Sequence, residues 1–300
     1  MLHVIINPLS GARGRTSLGD ARATLARRLL DARRVEGRVH VSQYPGHAVD
    51  LTRQALANGA NLVCAWGGDG TVNEVARVLA STSVPLGVIP EGSGNGFARG
   101  LGLFLSPEQA LDVAIDGRER VIDAGQMGDR PFFNLAGVGL DATIAALFNR
   151  RAPHRRGFLR YVWLGWEQLI SYEPASYLIQ TQDERLEVRA IMLVTANLQQ
   201  YGNGAYIAPC ADPADGHLDL VIVGARSMLS AFLLTPRLFT RSLDRAHGIQ
   251  TRPVTRVTIS STTPLVCHAD GEPFEGGTTI EVSVKPRALT VKVPQIANHQ

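Results

Sequence analysis

Leu62-Val63-Cys64-Ala65-Trp66-Gly67-Gly68-Asp69-Gly70-Thr71-Val72-Asn73-Glu74-Val75-Ala76 is the stretch whose reading decides the fold. Its opening residues form a continuous apolar run, as expected of a strand buried on both faces of a parallel sheet. Three glycines and an aspartate then turn the chain, and from Val72 to Ala80 the apolar residues fall at helical spacing. Strand, glycine turn and helix in that order make half of a βαβ unit.

The same order recurs on either side. Strands are predicted at 2–6, 38–44, 61–66 and 85–89, and helices at Ser17–Arg34, where Leu18, Ala21, Leu25 and Leu29 share a face, at Phe97–Gly100 and at Pro107–Ile115. Glycine-bearing turns follow the strands and gather at one sheet edge, where open α/β folds place ligands. After Asp123 the texture changes to period-two alternation at Leu178–Thr181, His217–Val223, Val254–Ile259 and Thr279–Val284, with helices at Gly157–Ser171 and Ser227–Phe239. The expectation is an α/β N-terminal domain over 1–122 and a mainly antiparallel β domain over 123–300, the boundary falling within Asp116–Ala124 and the last strand being a candidate to return to the first domain. No internal repeat or low-complexity tract interrupts this plan.

Three hundred residues, 45% of them hydrophobic, suffice for two cores. The net charge of +3 is mild and its basic residues are almost all arginine, Lys285 and Lys292 being the lysines; guanidinium forks suit phosphate oxygens better than point-charge lysines do, and no nucleic-acid partner is expected. Cys64, Cys210 and Cys267 lack the paired spacing of a zinc site or disulfide framework, and fit a reducing, cytoplasmic compartment. Residues 1–8 read as a first strand and not as a targeting segment, and no uncharged apolar run approaches bilayer length, so a soluble or peripheral protein is expected. His3, His40 and His47 show no metal spacing and read as surface or packing residues.

Gly67, Gly68, Asp69, Gly70 and Thr71 can turn sharply with exposed amides, and the helix that follows adds partial positive charge, so the loop can cradle phosphates. Asp69 would repel them unless a cation sat between, which implies Mg²⁺. Pro90-Glu91-Gly92-Ser93-Gly94-Asn95-Gly96 repeats the design one strand on, and Asn7-Pro8-Leu9-Ser10-Gly11-Ala12-Arg13-Gly14-Arg15 repeats it after the first strand. Each alone is ordinary turn chemistry; three in register point to one ligand. No G-x-x-x-x-G-K-[ST] run, no protein-kinase signature and no G-x-G-x-x-G fingerprint is present. In the second half, the Asp212, Asp215 and His217 turn is oxygen-rich enough to wrap a hard cation, or is simply a capped loop.

Taken together, Asn7-Pro8-x-Ser10-Gly11, Gly67–Thr71 with Val72-Asn73-Glu74, Pro90–Asn95 with Phe97-Ala98-Arg99, Phe133-Asn134 with Gly137-x-Gly139-x-Asp141-Ala142, and Asp270-Gly271-Glu272 resemble the diacylglycerol kinase catalytic family, over residues 2 to about 290. The G-G-D-G-T element alone is shared with phosphofructokinases and NAD kinases. The resemblance implies an α/β N-terminal nucleotide-binding domain, a C-terminal β-sandwich, a cleft for ATP and lipid, ATP contacts from Ser42, the loop 67–73 and Ser93 alongside Asn7, Ser10, Gly11 and Asn95, and a structural Mg²⁺ on Asp212, Asp215 and the carbonyl of His217. Gly96 departs from the aspartate of many bacterial members, and Gly92–Asn95 is closer to sphingosine-kinase-like ones, which leaves the lipid open. Phosphoryl transfer needs a group to accept the hydroxyl proton. Glu272 takes that role in this reading, with Asp270 the alternative base or Mg²⁺ organiser.

The reaction expected is ATP plus a lipid alcohol giving ADP and a lipid phosphate, at the inner face of a membrane. A sphingoid-type kinase, an NAD kinase and a silent lipid- or nucleotide-binding module are the rivals. Asn149–Tyr172 carries Arg150, Arg151, Arg155, Arg156 and Arg160 followed by Phe158, Tyr161, Trp163 and Trp166, a pattern that suits either contact with an anionic bilayer or packing on the β domain.

Overall fold

Leu2–Ile6 (β1), Gly37–Val41 (β2), Leu62–Gly67 (β3) and Leu86–Pro90 (β4) alternate with the helices Thr16–Ala32 (α1), His47–Ala57 (α2), Asp69–Leu79 (α3), Gly96–Gly100 (α4) and Pro107–Asp116 (α5). The computed structural model describes residues 1–11, 16–103, 105–151, 172–225 and 228–295. It divides into one unit of Met1–Ile122 plus the chain from Arg287 onward, and a second of Asp123–Pro286.

In the first unit β1 lies between β2 and β3, and β3 between β1 and β4, all parallel. Every residue of β1 and β3 is buried, which is why these strands read as unbroken apolar runs. α1 and α5 cover one face with Ala23, Ala26, Leu30, Ala110, Leu111 and Ala114 against Val4, Ile6, Cys64, Trp66 and Ile89. Two details depart from the sequence reading. The strand expected to reach residue 44 ends at Val41; Ser42 N–H still reaches the Ile6 carbonyl at 2.8 Å, but the chain then turns through Gly46 at φ 86°. Beyond it α2, which the reading passed over, buries Ala48, Val49, Leu51, Thr52 and Ala55 along one helical face.

The second unit is built from Arg118–Met127 (β5), which enters it from the first, Arg130–Phe132 (β6), Leu135–Gly139 (β7), Ala175–Gln180 (β8), Arg185–Ala196 (β9), Leu218–Gly224 (β10), Ile249–Val254 (β11), Arg256–Ser260 (β12), Val266–Ala269 (β13), Glu272–Glu275 (β14) and the start of Thr279–Val293 (β15), with Leu140–Arg151 (α6) and Met228–Phe239 (α7). Its pairings are antiparallel, with β9 holding β7, β8 and β10. Successive residues of β10 enter opposite cores, Leu218, Leu220 and Ile222 on one face and Val221 and Val223 on the other. Val254–Ile259, expected as one strand, is two, and the apolar run Ala190–Ala196 is the second half of β9. β15 pairs β12 antiparallel through Thr279–Ser283 and later meets β4 in parallel at Val291. The helix expected at Gly157–Ser171 lies outside the described residues, as do Arg13 and Arg15 of the first loop.

Candidate functional site

Three loops leave the C-terminal ends of β1, β3 and β4, and in the first unit they brace one another. Asn7 Nδ2 donates to Thr71 Oγ1 at 2.9 Å, and Gly68 N–H to Ser10 Oγ at 3.3 Å. Glu91 N–H reaches the Gly67 carbonyl at 2.8 Å, and Phe97 N–H, at the start of α4, donates to Asp69 Oδ1 at 3.0 Å. Arg22 of α1 holds the Asn7 and Ser10 carbonyls, each at 3.0 Å, and pairs with Glu91 at 3.2 Å; Glu91 in turn accepts from Trp66 Nε1. Asn95 sits at φ 51° and closes its own loop, accepting from Gly92 N–H at 2.7 Å and donating to the Gly92 carbonyl at 3.0 Å.

Glycine is required where these loops touch. A Cβ on Gly92 would stand 2.6 Å from Gly68 Cα, and one on Gly68 3.1 Å from Gly92 Cα, so the two turns pack backbone to backbone. Gly11, at φ 90°, lies equally close to the Glu91 carbonyl, 3.1 Å from where its Cβ would be.

Of the expected nucleotide contacts, Ser10 and Thr71 are buried and, with Asn7, hold loop to loop, while buried Asn95 closes its own loop. Ser93 and Gly70 are exposed, while Ser42, Gly68, Asp69 and Asn73 are half-buried and Val72 is buried on the inner face of α3. Gly68, the N-cap of α3, makes no side-chain cap hydrogen bond, and the positive end of the helix dipole favours an anion there. Asp69 is the acid in the first turn. A hard-oxygen carboxylate among amide donors suits Mg²⁺ carried with a polyphosphate. A concavity of about 320 Å³ lies at the other end of the strands, lined by Met1, Leu2, Val35, Glu36, Asn61, Leu62 and Ile115.

In the second unit the Asp270-Gly271-Glu272 segment is the turn between β13 and β14. Asp270 and Gly271 sit at φ 48° and 84°, the paired left-handed geometry of a two-residue hairpin turn. The Asp270 carboxylate accepts the backbone N–H groups of Phe133 (2.8 Å), Asn134 (2.9 Å) and Leu135 (3.0 Å), and its own N–H donates to the Leu135 carbonyl at 2.9 Å. Asp270 therefore anchors the turn. Glu272, in register with Ala269, is exposed.

Beneath the turn lies a buried polar pair that sequence reading missed. His268 Nε2 is 3.0 Å from Asp141 Oδ2, both side chains being at most 5% exposed. Asp141 Oδ1 accepts Ala142 N–H at 2.8 Å, Tyr201 O–H lies 3.4 Å from Oδ2, and Gly271 N–H donates to His268 Nδ1 at 3.3 Å. Gly137 makes room, since a Cβ there would fall 2.0 Å from Asp141 Oδ2. The signal available in sequence was Gly137-x-Gly139-x-Asp141, a carboxylate placed where two neighbours have no side chain. Burial, and then the charge of Asp141, push the Cys267 thiol up to about 12; burial alone does the same at Cys64, so neither is a thiolate nucleophile.

The Asp212–His217 turn is closed by its own side chains. Asp212 Oδ1 accepts Ala214 N–H at 3.1 Å, Asp215 Oδ1 accepts His217 N–H at 2.9 Å, and buried Asp123 accepts Gly216 N–H at 2.8 Å. Burial, reinforced by Asp215, raises the pKa of neighbouring Asp219. Among the described residues no cluster of three or more His, Cys, Asp and Glu side chains forms a metal site. His3 is fully buried and stacked on His40, with ring centroids 5.2 Å apart, and His47 stacks on Tyr44, so all three are packing residues.

A family model for the diacylglycerol kinase catalytic domain matches residues 1–127, and one described as the YegS C-terminal NAD kinase beta sandwich-like domain matches 134–293. A diacylglycerol kinase of Mycobacterium tuberculosis is 32% identical over 304 residues, covering 97% of this chain and 94% of that one. A probable YegS-like lipid kinase of Chromohalobacter salexigens is 32% identical over 272 residues, covering 87% and 86%. The crystal structure of a diacylglycerol kinase from Bacillus anthracis shares the fold with a TM-score of 0.72 at 16% identity, over 97% of this chain and 96% of that one.

Proposed function

This chain belongs to the diacylglycerol kinase family of lipid kinases, and on that footing we propose that it transfers the γ-phosphoryl group of ATP, with Mg²⁺, to the hydroxyl of a lipid alcohol such as diacylglycerol. The observation that carries the reading is the set of three interlocked loops around an uncapped helix start with Asp69 in its first turn. Such a cradle needs no large motion to present amides to phosphates, and phosphoryl transfer depends chiefly on positioning and charge. Mg²⁺ bound with the nucleotide would neutralise phosphate charge, and Asp69 would hold it. Ser42, Asn73 and Ser93 would add polar contacts to the nucleotide. Glu272, exposed on a turn that Asp270 anchors, would accept the hydroxyl proton.

The deciding experiment is ATP-dependent turnover of a mixed lipid extract by the purified protein, read by mass spectrometry, with NAD as a parallel acceptor. A phosphorylated diacylglycerol or sphingoid base identifies the substrate, whereas NADP alone overturns the lipid reading. Asp69→Asn keeps an oxygen for Phe97 N–H but loses the charge, so turnover should vanish with thermal stability nearly unchanged. Near-parental turnover at saturating Mg²⁺ would remove Asp69 from this role. The turn at Asp212, Asp215 and His217 is proposed to hold a second, structural Mg²⁺, which predicts a Mg²⁺-dependent rise in melting temperature that Asp215→Ala abolishes.

No described helix is long and apolar enough to cross a membrane. Peripheral approach to an anionic bilayer is supported by α7 and the turn after it, where Leu233 (63% exposed) and Phe239 (44%) sit beside exposed Arg237, Arg241 and Arg245. Salt-sensitive co-sedimentation with anionic vesicles, weakened in a Leu233→Ser/Phe239→Ser variant, is the expected result; equal binding by both would send this surface back to ordinary exposure.

A further inference from the structure

We propose that His268 and Asp141 are positioning residues for Glu272, a role that rests on Glu272 being the proton acceptor. Glu272 follows a two-residue turn whose members hold left-handed dihedrals, one of them the non-glycine Asp270, so the direction of the glutamate depends on what pins the turn. One pin is the Asp270 carboxylate on residues 133–135. The other is the His268 imidazole, which reaches the residue between them.

The chemistry of that second pin is directional. Gly271 N–H can only donate, so His268 Nδ1 must carry a lone pair and the ring proton must sit on Nε2. Nε2–H then donates to Asp141 Oδ2 at 3.0 Å. Asp141 can only accept while ionised, and both its oxygens do so, one from Ala142 N–H and the other from His268 and Tyr201. A carboxylate fixed by a helix start thus selects the tautomer of an imidazole, and the imidazole fixes the turn that bears Glu272. The chain also leaves the pair its space, because any Cβ on Gly137 would lie 2.0 Å from Asp141 Oδ2 and 2.9 Å from His268 Nε2. A pair that merely filled the core would not need the lone pair to face the turn.

Two substitutions separate positioning from packing. His268→Asn retains an acceptor near the position of Nδ1 for Gly271 but abandons Asp141. His268→Gln can still donate to buried Asp141 but offers Gly271 nothing. On lipid phosphorylation by the full-length chain, His268→Asn is expected to keep kcat within about threefold of the parent. His268→Gln is expected to lose about 10- to 100-fold, the scale of a misplaced reacting group. KM for ATP should not change in either, and His268→Gln should be the more heat-stable of the two. Activity that follows the stability order, or equal kcat in both variants, overturns the proposal while the kinase reading stands.

A second measurement needs no variant to fold. Nitrogen-15 NMR of histidine-labelled wild type should show His268 protonated at Nε2 and bare at Nδ1, and the opposite tautomer overturns the proposal. Wild type that shows this tautomer but phosphorylates no lipid overturns the kinase reading, and the positioning role with it.

Discussion

Between the loops that follow β1, β3 and β4 and the turn that joins β13 to β14, the means of fixing a backbone differ. The loops are held by short neutral side chains, Asn7, Ser10, Thr71 and Asn95, by glycines that touch through bare Cα atoms, and by Arg22, which grips two loop carbonyls while paired with Glu91. The turn is held by carboxylates, Asp270 on three amides and Asp141 on an imidazole. With Arg22 and Glu91 offsetting each other, the helix dipole and Asp69 dominate the local field, which suits an anion carried with a cation. Charged bracing costs desolvation unless every lone pair is used, and so makes a rigid mount intolerant of change. One region is shaped to receive charge and the other to aim it.

The largest effect should separate mount from cargo on the turn. Glu272→Gln, at an exposed position, is expected to lower kcat by roughly 10²–10⁴-fold with an unchanged melting curve. Asp270→Asn should lower both activity and stability, since an amide leaves at least one backbone N–H facing a donor, at about 1–3 kcal/mol per unsatisfied group. If urea unfolding shows the stability loss in Glu272→Gln instead, the two assignments exchange.

A methyl group tests the contrast next. Gly137→Ala drives a Cβ into the Asp141 carboxylate and should cost about 1–3 kcal/mol of overpacking, seen as a lower urea midpoint. Gly68→Ala meets Gly92 Cα at 3.1 Å and should chiefly raise KM for ATP with a smaller stability loss. The reverse ranking would mean that the loops, and not the turn, are the brittle region.

The smallest effect is a pH dependence in the first unit. Burial, then the neighbouring His40, then Arg38 lower the pKa of His3, and burial followed by Arg38 and His47 lowers that of His40. The unfolded chain then binds more protons than the folded one between the depressed values and the ordinary value of about 6.5. Stability contributed by the neutral pair is complete above that value and is lost as pH falls through it. Melting temperatures from pH 7.5 to 5.5 should fall more steeply in wild type than in His40→Gln.

What was legible in the sequence tracks how local its cause is. The strand, glycine turn and helix at 62–79 and the loops at 7–11 and 90–96 follow from residue types in series. Even α2, overlooked, carried its signal in Ala48, Val49, Leu51, Thr52 and Ala55. Asp270 was legible as important but not as a mount, because its partners lie about 135 residues away and φ 48° leaves no mark in composition. The His268 and Asp141 pairing spans 127 residues and was invisible for the same reason.

β15 gives the chain a schedule. Its later residues lie beside β4, with Val291 opposite Leu86 and the Ala288 carbonyl accepting Ser81 N–H, while Lys292 holds the Gly117 carbonyl at 3.2 Å and Glu119 at 3.3 Å. The sheet of the first unit therefore acquires its last strand only after all of the second unit has left the ribosome. At about 5–20 residues per second, the edge of β4 waits for many seconds with its hydrogen-bonding groups unclaimed, an opening for mispairing with another nascent chain. Chains stalled at Pro286 should be cleaved by protease near β4 far faster than chains released at full length, and equal cleavage would show that the first unit closes without its final strand.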